Sequence, residues 1–301
     1  MLTASDFRGP SCVTAVRSVE LDVTDLTRAT EFYTKAWALE VVADTPDGRY
    51  FRAAGPEHHI LVLREAAKSA LHAVEAAAPT RGDIDRLFAR ASAASTVLQK
   101  PQVLDTPGGG YGFAVRDASG RVWRVTADVA AHAAWTHTPE RPFKISHVVI
   151  NGSDIDADTA FAIEQLGFRL RDQTKSMNFL GCNADHHSLA IARGDDVGLN
   201  HVAYEVDSID AVMRCAGRLK RNGYPLQWGV GRHGPGANVF SYYLDPDAFP
   251  IEYTAEMQQV DDAYKPGSPA DWERPAPFWD AWGIAEPPTQ RFREASAGHR
   301  S

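Results

Sequence analysis

Cysteine is scarce in this sequence. Its 301 residues include three cysteines, Cys12, Cys182 and Cys215, which lie far apart along the chain. An odd and scattered set of this kind forms neither a disulfide framework nor a Cys-x-x-Cys metal knuckle. Because chains without disulfides are typical of reducing compartments, we expect a cytoplasmic protein.

Long apolar runs and an excess of positive charge are also missing. No stretch approaches the roughly 20 apolar residues of a membrane helix, and the opening run MLTASDFRGPSC has no charged region followed by an apolar one, as a signal peptide would. Lys and Arg number 31 against 39 Asp and Glu, which gives a formal net charge of -8. A surface of that sign repels phosphate backbones, so we expect no nucleic-acid partner and no membrane partner.

An internal repeat is the main feature that is present. A strand at residues 16–23 leads through a Thr-Asp cap into a helical pattern that ends at Trp37, and the same order recurs from Ile145 to Gly167. A second unit follows each copy: a strand near 71–75 with a helix over 83–94, then a strand over 200–206 with a helix over 209–222. These repeats give the two domains that about 150 residues per domain already suggests.

Each unit closes with strand–turn–strand patterns, as in residues 113–124 and 242–252. The sequence therefore predicts an α+β fold in which each domain pairs two βαβββ modules into a strongly curved, half-open barrel. We expect a metal-free, vestigial domain at 1–135, a catalytic domain at 142–257, and a Pro- and Trp-rich arm at 258–301 that is extended and packed on the surface.

Two histidines and a glutamate occupy strand positions in the second half. His147 lies in its first strand, His201 opens the strand of the next module, and Glu252 ends a strand-like run after a turn. Because strand side chains alternate between faces, all three should point into the concave side, with Ile145 on the face of His147; Glu205 is a competing carboxylate that we place at the rim. Two imidazoles and a carboxylate form the triad that holds Fe(II), although Zn, Cu and Mn also fit such ligands.

The first half does not repeat this set. Its counterparts, in the same order, are Ser18, His72 and Arg124. One imidazole beside a guanidinium cannot hold a cation, so we expect the first half to bind no metal.

Three further side chains could move protons near such a metal. The run GCNADHHSLA contains His186 and His187, of which alternation sends one inward, and we favour His187. His233 lies in the glycine-rich run GVGRHGPG, and Tyr242 begins the strand before an Asp-Pro-Asp turn. Each could instead be an ordinary loop histidine or a core tyrosine, but together they supply proton donors and acceptors.

Aromatic residues between these motifs are candidates for the wall of a substrate pocket. We assign Trp228, Phe179, Phe249 and His186 to substrate binding, with Met177 beside them. Such a wall favours an aromatic, apolar substrate, although aromatic residues at these positions also fill cores.

These motifs resemble the type I extradiol ring-cleavage dioxygenases, the catechol 2,3-dioxygenase-like branch of the vicinal oxygen chelate superfamily. The stretches that show the resemblance are ISHVVI, CNADHHSLA, LNHVAYEV and GRHGPG followed by YYLDPDAFPIE. The resemblance is strong over residues 143–256 and weak over 1–130. It implies an enzyme that cleaves the ring of a small aromatic diol with O2 as co-substrate, and that forms a homo-oligomer.

The resemblance also implies residue roles. The three candidate ligands would bind Fe(II), less often Mn(II). His187 would act as acid and base beside bound oxygen, while His233 and Tyr242 would contact the substrate hydroxyl. The chain departs from the family pattern at Ser241, where an apolar residue is usual, and at Ala248, where glycine is usual. Both departures affect the expected identity of the substrate more than the expected metal site.

Two other functions fit the same scaffold. A glyoxalase-type isomerase or epoxide-opening transferase needs no oxygen and usually takes metal ligands from two separate modules. A non-catalytic binding protein, like the bleomycin-sequestering relatives, needs no metal triad.

Overall fold

We analysed a computed structural model, which describes residues 13–132, 138–273 and 279–298. Cys12, residues 133–137 at the predicted domain boundary, and residues 274–278 and 299–301 of the predicted arm lie outside the described residues.

Strands dominate both halves of the described chain. The strands are β1 (Ala15–Val23), β2 (Glu40–Thr45), β3 (Gly48–Arg52), β4 (Leu61–Glu65), β5 (Ala70–Ala77), β6 (Thr96–Val103), β7 (Tyr111–Arg116), β8 (Val122–Ala127), β9 (Lys144–Gly152), β10 (Arg169–Gln173), β11 (Met177–Gly181), β12 (Leu189–Arg193), β13 (Gly198–Glu205), β14 (Trp228–Arg232), β15 (Val239–Leu244) and β16 (Pro250–Ala255). The helices are α1 (Leu26–Glu31), α2 (Arg81–Ala94), α3 (Ile155–Phe161), α4 (Ile209–Arg221) and α5 (Gln290–Ser296). A π-helical turn extends α1 over Phe32–Ala36 and α3 over Ala162–Leu166.

Short polar side chains begin the four helices that the repeat predicts. Asp25, Thr80, Asp154 and Ser208 each accept a hydrogen bond from the backbone N–H three residues ahead. These bonds satisfy amides that a helix start leaves without an intrahelical partner. At the end of the third helical unit, Gly167 takes a left-handed φ of 81°, which glycine adopts without steric cost.

The two halves have the same sheet topology. The first sheet runs β2-β3-β4-β1-β5-β8-β7-β6, and the second runs β10-β11-β12-β9-β13-β16-β15-β14. In each sheet the first strands of the two modules pair antiparallel at the centre, β1 with β5 and β9 with β13. The helices cover one face of each sheet with an apolar core, so the opposite, concave face is left for a site. The predicted α+β fold of paired βαβββ modules is confirmed.

One side-chain direction differs from simple alternation. The register of β9 against β13 shifts between the pairs formed by Ala203 with His147 and by Tyr204 with Ile145. This bulge turns Ile145 into the hydrophobic core, whereas Val149 stays on the face of His147. The prediction that Ile145 shares the face of His147 was wrong for this reason.

A buried turn of the second half holds the first half in place. Asp247, in the Asp-Pro-Asp turn between β15 and β16, accepts hydrogen bonds from the Thr24 N–H at 2.8 Å, the Thr24 hydroxyl at 2.6 Å and the Ser69 hydroxyl at 2.9 Å. Nearby, the Trp37 ring stacks on Tyr253 with centroids 3.8 Å apart. Sequence-distant polar and aromatic contacts therefore join the two halves.

We expect Asp247→Ala to lower the free energy of unfolding by about 2–3 kcal/mol, because three donors lose one acceptor that is itself buried. Asp44→Ala is the control, since Asp44 pairs with Arg49 at an exposed edge and such pairs contribute about 0–1 kcal/mol. Urea unfolding of both variants measures the difference. Equal stability of the two variants would contradict this role of the turn.

The arm is not extended throughout. Residues Gln290–Ser296 form α5, capped by the Thr289 hydroxyl, and Phe292 of this helix is buried against Phe240 and Tyr242. Part of the expected extended arm is therefore a packed helix. None of the helices in the described ranges has the length and apolar character that crossing a membrane requires.

Candidate metal centre

Three neighbouring strands bring His147, His201 and Glu252 together. Ala203 of β13 pairs with His147 of β9 on one side and with Glu252 of β16 on the other, while His201 lies two residues before Ala203 on the same face. The Glu252 Oε2 atom lies 3.3 Å from Nε2 of each histidine, and the two Nε2 atoms are 3.4 Å apart. The small Ala203 side chain leaves space between the three larger ones.

The charge states of these groups suit a cation. Burial would raise the pKa of Glu252, but the neighbouring His147 and His201 outweigh burial and hold that pKa well below its usual range. Burial lowers the pKa of His201, against the opposing effect of Glu252, so that imidazole favours its neutral form. An ionised carboxylate and a neutral imidazole are the forms that bind metals.

Outer contacts fix how these side chains are turned. His201 Nδ1 lies 2.8 Å from the Asn200 side-chain oxygen, which assigns the proton to Nδ1 and leaves the Nε2 lone pair facing the other ligands. The Asn238 amide donates to Glu252 Oε1 at 3.3 Å. The other oxygen of Glu252, Oε2, is buried and has no hydrogen-bond partner. A buried charged oxygen without a donor is costly, so the donor set fits a divalent cation at this point.

Two proton-handling groups lie on one side of the triad. His233 Nε2 is 2.9 Å from the Tyr242 hydroxyl, and the Tyr242 ring contacts the ring of His201 edge-on at 5.1 Å. Burial, followed by the charge of Glu252, raises the pKa of Tyr242 well above its usual value. Tyr242 is therefore a neutral hydroxyl that can donate one hydrogen bond and accept another.

His187 lies against the triad through His147, with ring centroids 4.5 Å apart. Burial, followed by the neighbouring histidines, lowers the pKa of His187 well below its usual value. The glycine-rich loop approaches this ring closely: Gly236 has a φ of +78°, and a side-chain carbon there would come within 2.8 Å of His187. A neutral imidazole can accept a proton or a hydrogen bond.

The two histidines of the triad and the three proton-handling residues line one cavity of about 410 Å³. Its volume falls in the range of about 300–1,000 Å³ that is usual for small-molecule sites. Its lining residues are His147, Val149, Thr174, Ser176, Met177, Phe179, His187, Asn200, His201, Trp228, His233, Pro235, Tyr242, Trp272, Phe292 and Ser296.

The cavity includes some of the aromatic residues assigned to it from sequence and not others. Phe179, Trp228 and Met177 line it. Phe249 does not: it follows the Asp-Pro-Asp turn and its ring is fully buried in the main hydrophobic core. His186 does not line the cavity either, because its neighbour His187 takes the inward position and the His186 ring turns to Asp172 at 2.8 Å. The substrate-binding assignments of Phe249 and His186 were therefore wrong.

Several residues of the cavity wall were missed, among them Asn200 and three residues of the arm. Asn200 directly precedes a ligand histidine, a position that could have marked it as an outer partner. Trp272, Phe292 and Ser296 come from the arm. Their sequence neighbourhood has little periodicity, so sequence alone offered no signal that they reach the site.

The strand register tests the proposed counterparts in the first half. Glu75 of β5 stands where Ala203 stands in β13, pairing with Ser18 on one side and Arg124 on the other. Ser18 and Arg124 therefore do occupy the positions of His147 and Glu252.

The third counterpart was misassigned. The register of β1 against β5 steps from Ala73 to Leu71 and skips His72, as the register of β9 against β13 skips Asn200. His72 therefore corresponds to Asn200, and Ala73 corresponds to His201. The bulge lies at the same place in both halves, and its extra residue is His72 in one half and Asn200 in the other.

The chain was compared with protein families. The family model described as Glyoxalase/Bleomycin resistance protein/Dioxygenase superfamily matches residues 15–125 and 144–253. Those ranges coincide with the two eight-stranded sheets.

Relatives of known name match part of the chain. The chain is 31% identical to metapyrocatechase 2 of Cupriavidus necator over 122 residues, which cover 40% of this chain and 38% of that protein. It is 32% identical to an iron-dependent extradiol dioxygenase of Rhodococcus jostii over 134 residues, which cover 39% of this chain and 45% of that protein. The matches thus span less than half the length of these curated relatives.

Solved structures match over the whole length. A Mn(II)-bound glyoxalase from Novosphingobium aromaticivorans is 39% identical, with a TM-score of 0.88 and 94% of both chains covered. A 2,3-dioxygenase from Pseudomonas sp. KL28 has a TM-score of 0.78 at 19% identity, covering 87% of this chain and 99% of that one, and so shares the fold. With both halves matched by the family model and a relative of 39% identity along nearly the whole chain, this protein belongs to the Glyoxalase/Bleomycin resistance protein/Dioxygenase superfamily.

Proposed function

We propose that the protein is an extradiol dioxygenase, which opens the ring of a catechol-type substrate with O2. The observation that carries the proposal is the convergence of His147, His201 and Glu252. The two histidines line a cavity that also holds His187, His233 and Tyr242. The partial matches to proteins named as extradiol dioxygenases support the same reaction class.

The three ligand side chains would hold Fe(II), with Mn(II) as the alternative. Relatives of both kinds exist: one is named iron-dependent, and another was solved with Mn(II) bound. When bound, such a metal supplies Lewis acidity towards a diolate and the redox chemistry that lets O2 react with an organic substrate. Three protein ligands would leave room at the metal for substrate and oxygen.

The chain's own residues would handle the protons. The His233–Tyr242 pair lies beside His201, where its hydroxyl and ring nitrogen can orient a substrate hydroxyl and accept its proton. His187 lies beside His147, and its neutral ring can take up a proton and return it to an oxygen atom on that side. The aromatic wall of Phe179, Trp228 and Phe292 would orient the ring and exclude water.

The wall also bears on the substituents of the substrate. Beyond the ligand and proton-handling groups, the cavity lining has no Lys, Arg, Asp or Glu among the described residues. A carboxylate substituent would therefore lose its hydration without gaining a charged partner. We propose that the substrate is an uncharged aromatic diol with an apolar substituent.

An oxygen electrode tests this function. Protein reconstituted anaerobically with Fe(II) is given a panel of monocyclic and bicyclic catechols, their carboxylated analogues, a hydroquinone and a heterocyclic diol. We expect oxygen uptake and a yellow ring-opened product, with the uncharged apolar diols favoured. A complete lack of both signals across the panel would refute the proposal.

A second candidate is a glyoxalase-type enzyme, because the 39% identical relative carries that name. Such chemistry needs no oxygen. The same panel, extended with hemithioacetals and run under argon, separates the two functions. Turnover that persists without oxygen would favour the second candidate.

Three expectations from sequence stay predictions within this proposal. They are a first half without metal, supported by Arg124 at the position of Glu252, a homo-oligomeric assembly, and a cytoplasmic location.

A further inference from the structure

His186 does not line the cavity, yet it contacts His187, the histidine that lies against the triad through His147. The Nδ1 atoms of His186 and His187 are 3.0 Å apart. For a hydrogen bond between two neutral imidazoles, one Nδ1 must carry the proton and the other must accept it. The other hydrogen-bond partners of the His186 ring decide which of the two nitrogens carries the proton.

Asp172 decides it. The carboxylate lies 2.8 Å from His186 Nε2, and it accepts hydrogen bonds from the Gly267 N–H at 2.6 Å and from the Tyr264 hydroxyl at 3.2 Å. An ionised carboxylate only accepts hydrogen bonds, so Nε2 of His186 carries that ring's proton. His186 Nδ1 is then an acceptor, and His187 Nδ1 must be the donor.

We propose that Asp172 and His186 are positioning residues for His187, which they hold in the Nδ1–H tautomer with Nε2 unprotonated towards the cavity. The catalytic consequence of this arrangement rests on the proposed function; the tautomer itself does not. Both residues are fully buried, so no water competes for these bonds at their side chains.

The first half offers an internal comparison. It has the same histidine pair, His58 and His59, with Nδ1 atoms 3.1 Å apart. The His59 ring meets Tyr50 edge-on at 4.9 Å, as the His187 ring meets Phe179 at 5.0 Å. The pair by itself therefore belongs to the repeated scaffold.

What differs is the carboxylate. In β10 Asp172 pairs with Phe179, whereas in β2 the equivalent residue, Ala43, pairs with Tyr50. The acid thus stands only in the half that holds the triad. The carboxylate that contacts the His186 ring is therefore present in the second half and absent from the equivalent position of the first half. A residue that positions His187 for catalysis is expected in the half with the candidate site, as Asp172 is.

The test is Asp172→Asn. An asparagine oxygen at the Oδ1 position still accepts from Gly267 and Tyr264, which turns the amide NH2 towards His186 Nε2. His186 must then carry its proton on Nδ1, and His187 is driven to the Nε2–H tautomer. Two-dimensional ¹H–¹⁵N spectra of the full chain, without metal and with diamagnetic Zn(II), report the tautomer, with His187 assigned by loss of its signals in His187→Gln.

We expect the wild-type chain to show His187 as Nδ1–H and Asp172→Asn to show it as Nε2–H. In the Fe(II) enzyme, kcat should fall by at least about 10²-fold, with KM changed less than threefold, because one proton-transfer group is lost. Tyr264→Phe, which removes one donor but keeps the carboxylate, should preserve both the tautomer and kcat. An unchanged His187 tautomer in Asp172→Asn, or Nε2–H in the wild type, would overturn the proposal.

A second pair of variants tests the proposal if Asp172→Asn does not fold. His186→Gln keeps an amide oxygen that can accept from His187, whereas His186→Met does not. The first should keep the Nδ1–H tautomer and the second should lose it; identical spectra in the two would overturn the proposal. If no diol is turned over by the wild type, the proposed function fails while the spectra still decide the tautomer.

Discussion

In the Glu252→Ala variant we expect metal retention and diol turnover to be lost together. Glu252 supplies the only anionic ligand of the triad, and its Oε2 atom, which has no hydrogen-bond partner, lies 3.3 Å from Nε2 of both imidazoles. Changing an outer partner of a ligand already weakens metal binding by about 10–100-fold, so losing the ligand itself should cost more. Metal analysis after dialysis, alongside oxygen uptake, measures both effects.

Glu205→Gln is the matched control. Glu205 is also a buried carboxylate of the second half, with its pKa raised by burial, but it pairs with Lys144 at 3.1 Å and lies outside the triad. We expect this variant to keep its metal. Metal loss in Glu205→Gln with full retention in Glu252→Ala would mean that the carboxylate ligand has been misassigned.

The second large effect is expected for His187→Gln, in which metal content stays and kcat falls. The ring contacts His147 but is not among the three converging ligands, and burial keeps it neutral. General acid–base groups contribute about 10²–10⁴-fold, so a loss of that order is expected in kcat. Steady-state kinetics with metal analysis on the same samples separates this effect from metal loss.

His59→Gln serves as its control. His59 is the counterpart of His187 in the first half and has a similar edge-on aromatic neighbour, but it lies 3.8 Å from Glu75 rather than beside a triad. Its replacement should leave kcat unchanged. Equal losses of kcat in the two variants would show a general effect on folding and would remove His187 from the mechanism.

The internal repeat made much of the fold predictable. Caps such as Asp25 and Ser208 and the spacing of the strands reveal four copies of one module, because the physics of helix starts and strand alternation is local. The same repeat points to His147, His201 and Glu252, which the structure brings within 4.8 Å of one another. Positions on paired central strands are repeated along with the module.

The errors have a common physical cause in bulges and distant contacts. His72 is the extra residue of the bulge in β5, as Asn200 is in β13, so Ala73 and not His72 is the counterpart of His201. Ile145 was placed on the wrong face by a similar shift. A bulge depends on the partner strand, so counting along one strand does not reveal it.

Distant segments explain the remaining misses. Phe292 reaches the cavity from a helix that begins at Gln290, about 35 residues beyond the last strand, which ends at Ala255. Asp172 acts on His187 through a third residue. Neither the contact of Phe292 with the cavity nor the chain of contacts from Asp172 to His187 produces a pattern in the local sequence. Both are seen only when the segments are placed in three dimensions.

Turnover under ¹⁸O2 tests the central claim most directly. The Fe(II)-loaded chain is given its best diol in ordinary water under labelled oxygen, and the product is reduced at once to prevent exchange before mass spectrometry. If His147, His201 and Glu252 hold a ring-cleaving centre, the ring-opened product carries two labelled oxygen atoms. An unlabelled product, or the same product formed under argon, would contradict it.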